Sequence, residues 1–174
     1  RWTLMKTRQV NWFTRRLMDA VRLHRPQARF ALNLYAPVLG NPHSEEWLAQ
    51  NYADSLELYD RVVIMAYPEL EGVSAPLHWL TSLVEQARET SPAALRRTVF
   101  KLQAYNWGEK AWIADSVILD RIRRLKAAGA RHVAYYPDNY VENRPRRGQL
   151  ELEISTRSWL FPKPRRPRIS RHYR

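Results

Sequence analysis

The sequence predicts an α/β protein whose parallel β/α units form the C-terminal half of a TIM-type (β/α)8 barrel. Four observations predict it. Strand-like apolar runs start near residues 29, 61, 98 and 131, about one β/α unit apart. Stretches with helical spacing of apolar residues lie between them, the alternation that gives a parallel sheet with helical crossovers. The five Gly are scattered and form no GxGxxG or Walker pattern, so the phosphate loop usual in an open nucleotide-binding sheet is missing. Asn33 and Gln103 stand near strand ends, where polar residues suit a barrel mouth better than an open sheet. Half a barrel implies missing upstream strands, and a chain that does not begin with Met reads as a fragment.

Composition narrows the class. The 174 residues suffice for one domain with a core, and 45% hydrophobic content is ordinary for a globular protein. Zero Cys excludes disulfides and thiolate metal sites. No run approaches the ~18 apolar residues of a membrane span, and no signal peptide is visible. The formal charge of +12 raises the question of nucleic acid, and its distribution answers it. Residues 1–28 carry seven Lys/Arg and one acid, and residues 157–174 carry seven Lys/Arg and no acid. That leaves fifteen basic and sixteen acidic residues in the body, a net of −1. The charge sits on the two ends, as a solvated helix face and tail.

The elements follow in order. Thr7 to Leu23 reads as an amphipathic helix with Val10, Phe13, Leu17 and Val21 on one face, closed by Pro26. Arg29–Tyr35 reads as a strand ended by Ala36-Pro37, then a loop from Val38 to His43. Ser44 is the expected cap of a helix running to about Leu58, with Glu45 and Glu46 in its first turn and Trp47 or Leu48, Tyr52 and Leu56 buried. Arg61–Ala66 is a short β-branched-rich run, the pattern of a buried strand, stopped by Tyr67-Pro68-Glu69-Leu70-Glu71-Gly72. Ser74 before Pro76 opens the next helix, whose buried stripe is Leu77, Leu80, Val84 and Ala87. Ser91-Pro92 suggests a short extra turn. Thr98–Tyr105 alternates cleanly, with Phe100, Leu102 and Ala104 opposite Lys101, Gln103 and Tyr105. Asp115 or Ser116 caps a helix through Leu125, which Gly129 terminates. Arg131–Tyr136 is the fourth strand, leading into Pro137-Asp138-Asn139. After Gly148 the pattern loses its period. The domain is read as 1–160, followed by a flexible Pro/Arg tail at 161–174.

The residues that follow each strand carry the chemistry. They are Asn33, Tyr35 and Pro37; then Tyr67, Glu69 and Glu71; then Tyr105, Asn106 and Trp107; then Tyr135, Tyr136, Asp138 and Asn139. Parallel strands bring all four sets to one rim, where α/β proteins bind ligands. The rim is aromatic, amide-bearing and acidic, with no Lys or Arg until Lys110. That set suits sugar: pyranose C–H patches pack on rings, amides and acids take hydroxyls, and glycoside hydrolysis needs two carboxylates. Acidic walls favour an amine-bearing sugar and disfavour phosphates and nucleic acid. There is no HExxH, CxxC or GxSxG. The five His are scattered, and His132 starts a strand, the wrong end for catalysis.

Four segments carry a resemblance: EEWLAQNYADSLELYD at Glu45–Asp60, IMAYPELEG at Ile64–Gly72, LQAYNW at Leu102–Trp107 and YYPDN at Tyr135–Asn139. With the intervening helices they make the chain, from about Lys6 to Trp159, similar to the C-terminal glycoside hydrolase domain of the poly-β-1,6-N-acetyl-D-glucosamine N-deacetylase (PgaB) family. The resemblance implies a protein of two domains, a metal-dependent deacetylase and a (β/α)8 barrel that binds and cleaves partly deacetylated polymer. It implies a periplasmic place, often with an outer-membrane anchor, and an outer-membrane porin as export partner. This chain would supply the last four strands. The deacetylase domain with its divalent metal, the first half of the barrel and the family's principal catalytic Asp would lie outside it, so no cofactor or metal is expected here.

Roles then fall on matching positions. Glu71, in the LEG motif, is the expected catalytic carboxylate. Asp138 pairs with a glucosamine ammonium, with Asn139 in support. Trp107 and Tyr135 or Tyr136 stack on sugar rings, and Asn106 contacts a hydroxyl. Tyr67 joins the substrate-binding set although a relative has Met there, and Glu69 receives no chemistry because a relative has Tyr there. The rival reading is a non-catalytic polysaccharide-binding scaffold that guides export. A third, nucleic-acid binding through the basic ends, predicts affinity that falls steeply with salt.

Overall fold

A computed structural model describes residues 1–154 apart from Pro92. The expected tail, the domain boundary near 160 and the Pro92 turn lie outside the described residues. Four parallel strands, β1 (Ala31–Tyr35), β2 (Arg61–Ala66), β3 (Thr98–Gln103) and β6 (His132–Tyr136), form a sheet in sequence order. Their register runs Asn33↔Val63↔Val99↔His132 and Tyr35↔Met65↔Lys101↔Ala134 across the sheet. Among the described residues the sheet is open and does not close into a barrel. Its crossovers are helical, as the alternation predicts.

Period-two patterning decides which face is dry. Leu34, Val62, Ile64, Phe100 and Leu102 point to the helix side and are fully buried. They pack against Leu80, Val84 and Ala87 of α5 (Pro76–Thr90) and Ile118, Ile122 and Leu125 of α6 (Asp115–Ala128). The opposite face carries Asn33, Tyr35, Val63, Met65, Lys101 and Tyr136, none of them buried. One polar pair lies in the core. Thr98 Oγ1 donates to the Ala94 carbonyl at 2.9 Å, so its oxygen accepts the Tyr52 hydroxyl at 2.6 Å. Burial raises the Tyr52 pKa.

The structure corrects several local readings. α1 spans Trp2–His24, but its buried residues are Thr7 and Met18. The expected core face is in solvent: Phe13 is 58% and Leu17 51% exposed, and Val10 and Val21 are exposed as well. α1 is held by polar contacts, since Thr7 Oγ1 donates to Glu45 at 2.7 Å and Lys6 reaches the Glu46 carbonyl. The stretch after β1 is not all loop, because Pro37–Gly40 forms the one-turn α2. The single helix expected from Ser44 is two, α3 (Ser44–Leu48) and α4 (Tyr52–Leu58). Ala49 turns left-handed at φ 51°, and the Asn51 side chain restarts the helix by accepting the Asp54 N–H at 3.1 Å. Ser44 is a buried first-turn residue rather than the cap, and Trp47 is exposed while Tyr52 and Leu56 are buried. Ser74 and Ser116 cap nothing either, for Ala75 and Ala114 hold the cap positions without a side-chain bond. Asp115 instead accepts the Arg146 N–H at 3.2 Å. Leu83 joins the α5 stripe and Leu77 is partly exposed. Gly129 closes α6 in the left-handed region at φ 104°, as expected of a glycine there.

A short hairpin and the last helix were not read from the sequence. After Gln103 the third strand ends, and Tyr105–Asn106 (β4) pairs antiparallel with Ala111–Trp112 (β5). Around and after Gly148, where the period fades, Arg147–Ile154 is a helix, α7, anchored by the buried Leu150.

Candidate functional site

The residues after β2, β3 and β6 meet at one end of the sheet. Trp107 leaves the β4–β5 hairpin and lies 5.8 Å from the Tyr67 ring and 6.3 Å from the Tyr136 ring, stacked on the latter at 26°. Tyr105 supports Trp107 edge-on at 6.1 Å, and Trp112 supports Tyr105 edge-on at 5.4 Å. Such offset and edge contacts fix ring orientation. Tyr67 is only 4% exposed and backs the cluster, whereas Trp107 is 41% and Tyr136 54% exposed. Burial, then the neighbouring Tyr136, pushes the Tyr67 hydroxyl up to about 12.

Strand parity separates Tyr135 from Tyr136. Tyr136 shares the open face with Lys101, while Tyr135 stands across from Leu102 on the helix side. Tyr135 donates to Asp138 Oδ1 at 3.4 Å. Its pKa is raised by burial first and then by Asp138, with Arg147 of α7 pulling the other way. The contacts of Asp138 therefore run to Tyr135 and not to the three-ring cluster. Asn106 and Asn139 both close turns. Asn106 Oδ1 accepts the N–H groups of Gly108 and Glu109 at 3.0 and 3.3 Å, and Asn139 Oδ1 accepts that of Glu142 at 3.1 Å. Their oxygens are committed to the backbone, which leaves their amide N–H groups for other contacts.

The loop after β2 is clamped from two sides. Gln103, 1% exposed, accepts the Leu70 N–H at 3.3 Å and donates to the Tyr105 carbonyl at 2.8 Å, tying this loop to the hairpin. Both oxygens of Glu69 grip the guanidinium of the buried Arg121 on α6, one at 3.0 Å. Glu69 is thus a structural ion-pair partner. Glu71 closes a helical turn onto the Tyr67 carbonyl at 3.0 Å. Among the described residues nothing donates to its carboxylate, and burial raises its pKa. A half-buried carboxyl without donors holds its proton to higher pH, as a general acid requires.

Lys101 is the residue the sequence reading missed. Its neighbours come from three strands, so no local motif marks it, and the rim is not free of cations. Its ammonium donates to Asn33 Oδ1 at 2.5 Å and lies 5.7 Å from the Tyr67 ring and 5.6 Å from the Tyr136 ring. Burial lowers its pKa. Among the described residues no carboxylate lies within ion-pair distance of it, and no group of three His, Asp or Glu could hold a metal ion. His132 binds the Arg96 carbonyl at 3.0 Å at the far end of the sheet.

The parallel β/α arc and its strand-end residues define a TIM-type domain of the glycoside-hydrolase kind. The family described as Hypothetical glycosyl hydrolase family 13 (GHL13) matches residues 1–136, and the chain belongs to it. Two curated relatives, from Escherichia coli K12 and Escherichia coli O157:H7, are each a poly-β-1,6-N-acetyl-D-glucosamine N-deacetylase. Each is 36% identical over 168 residues, covering 93% of this chain and 25% of the relative. The structure of the PgaB (BpsB) glycoside hydrolase domain from Bordetella bronchiseptica superposes with a TM-score of 0.84 at 34% identity, covering 90% of this chain and 44% of that one. The resemblance seen in the four motifs holds. The chain spans a quarter of the length of these curated relatives and under half of the solved domain.

Proposed function

We propose that this chain forms half of a barrel that binds and hydrolyses partially deacetylated poly-β-1,6-N-acetyl-D-glucosamine, within a protein that processes biofilm polysaccharide in the periplasm. The observation that carries the reading is the ring cluster of Tyr67, Trp107 and Tyr136 beside the Glu71 loop in a glycoside-hydrolase family member. Exposed Trp107 and Tyr136 faces offer stacking area to pyranose rings, with Tyr67 holding Trp107 in place. Glu71 supplies one carboxylate, and burial raises its pKa, the direction that favours donation of a proton to the leaving glycosidic oxygen. Asp138 takes an ammonium of a deacetylated unit, and the amide N–H groups of Asn106 and Asn139 take hydroxyls. The second carboxylate comes from the upstream half of the barrel. A deacetylase domain on the same polypeptide and an outer-membrane porin are the partners this role requires.

Glu71→Gln in the barrel domain that carries this chain tests the assignment. Mass spectrometry of partly deacetylated β-1,6-glucosamine oligomers should show cleavage by the wild type and loss of at least about a hundredfold in rate in the variant, the usual scale for a general acid, with binding retained. Undiminished cleavage would remove Glu71 from the mechanism. Binding without cleavage in the wild type would favour the export scaffold instead.

A further inference from the structure

Lys101 stands against two rings of the cluster, Tyr67 and Tyr136, where the mechanism proposed above uses no cation. The residue faces the open side of the sheet, between Met65 and Ala134 in the register. Asn33 Oδ1 anchors its ammonium at 2.5 Å, and the Tyr67 and Tyr136 rings stand on it at 5.7 and 5.6 Å. One amide oxygen satisfies one of three N–H donors. Ring faces attract a cation but accept no strong hydrogen bond. With no carboxylate in ion-pair reach among the described residues, the ammonium keeps an uncompensated positive charge and free donors. Both are presented beside Tyr136, itself more than half exposed.

A sugar stacked on Trp107 or Tyr136 therefore meets a cation beside it. A deacetylated unit brings its own ammonium, and two like charges in a partly desolvated site repel. An N-acetylated unit is neutral there and brings a carbonyl oxygen that can accept from Lys101. We propose that Lys101 is a specificity-determining residue that makes the Trp107–Tyr136 platform a subsite for an N-acetylated sugar and excludes a glucosamine ammonium from it. The inference rests on the carbohydrate reading of this site and deepens it. The platform selects acetylated units, while Asp138, in contact with Tyr135 on the helix side, takes the free amine. A polymer that is only partly deacetylated supplies both.

The test compares two defined probes, β-1,6-linked N-acetylglucosamine tetramer and its fully deacetylated counterpart, binding to the chain by calorimetry or saturation-transfer NMR. Circular dichroism checks that each variant is folded. In wild type the ratio of the two affinities combines the opposing contributions of Lys101 and Asp138, so the readout is the change of that ratio between variants. Lys101→Met, which keeps the length of the side chain and removes its charge, should shift the ratio about tenfold toward the deacetylated tetramer, the equivalent of about 1.4 kcal/mol. Lys101→Arg should preserve the wild-type ratio, because the charge and donors remain. A ratio unchanged in Lys101→Met overturns the inference while leaving the carbohydrate reading intact. Binding of neither tetramer by the folded wild-type chain overturns both.

Discussion

Glu69 and Arg121 show what a single pair contributes to this site. Arg121 is 5% exposed on its side chain and has both Glu69 oxygens as partners. Removing the acid leaves a buried guanidinium without a counter-charge, which is worse than removing both groups. Glu69→Ala is expected to cost about 3 kcal/mol, read as a lower urea midpoint at unchanged slope, and the double variant Glu69→Ala with Arg121→Met should recover most of it. The pair was illegible in the sequence. Glu69 read as a loop acid without a role, and its partner lies 52 positions away on another element. Lys101 was hidden for the same reason, because its environment is assembled from Asn33, Tyr67 and Tyr136. Tyr67, Trp107 and Tyr136 were easier to find, since each follows or ends a strand-like run that the sequence shows. The sequence could not say which of Tyr135 and Tyr136 faces Trp107. That depends on the register of β6 against β3.

At the scale of elements, burial decided which ones could be read. β2 was legible to the residue because a dry run ends at a proline that cannot continue a ladder. The split between α3 and α4 was not, because Ala49 adopts a left-handed conformation that its own type does not favour and Asn51 caps from mid-pattern. Gln50, at the break, accepts the Tyr35 N–H at 3.2 Å, so the interruption ties the helices to the end of β1. α7 was missed because its eight residues present too few apolar positions to set a period. It depends on Leu150, 1% exposed and packed into the core with Ile154 beside it. Leu150→Ala should destabilise the chain by about 3 kcal/mol through lost burial and the cavity left behind, seen as a lower Tm in thermal denaturation. A conservative Leu150→Met should cost under about 1.5 kcal/mol. If Leu150→Ala left Tm unchanged, α7 would not be part of the cooperative unit.

For the molecule as a whole, the helix side of the sheet is dry and the other surfaces are not. Among the described residues nothing pairs with the outer edges of β1 and β6 or covers the face bearing Lys101. α1 presents Val10, Phe13, Leu17 and Val21 to solvent although their spacing is that of a buried stripe. Periodicity could reveal that face because it reports which side chains line up on a helix. It could not reveal the exposure, because a stripe does not state what covers it. A contiguous apolar stripe of this kind binds apolar dyes, so the chain should enhance ANS fluorescence while keeping its native circular dichroism. Phe13→Ser combined with Leu17→Ser should lower that fluorescence and leave stability within about 0.5 kcal/mol, because neither ring nor methyls are packed in the core. The same pair of changes at Ile118 and Ile122, fully buried on α6, should unfold the chain. A large loss of stability from the α1 pair would mean that the stripe is covered in solution and that α1 packs differently from the arrangement described.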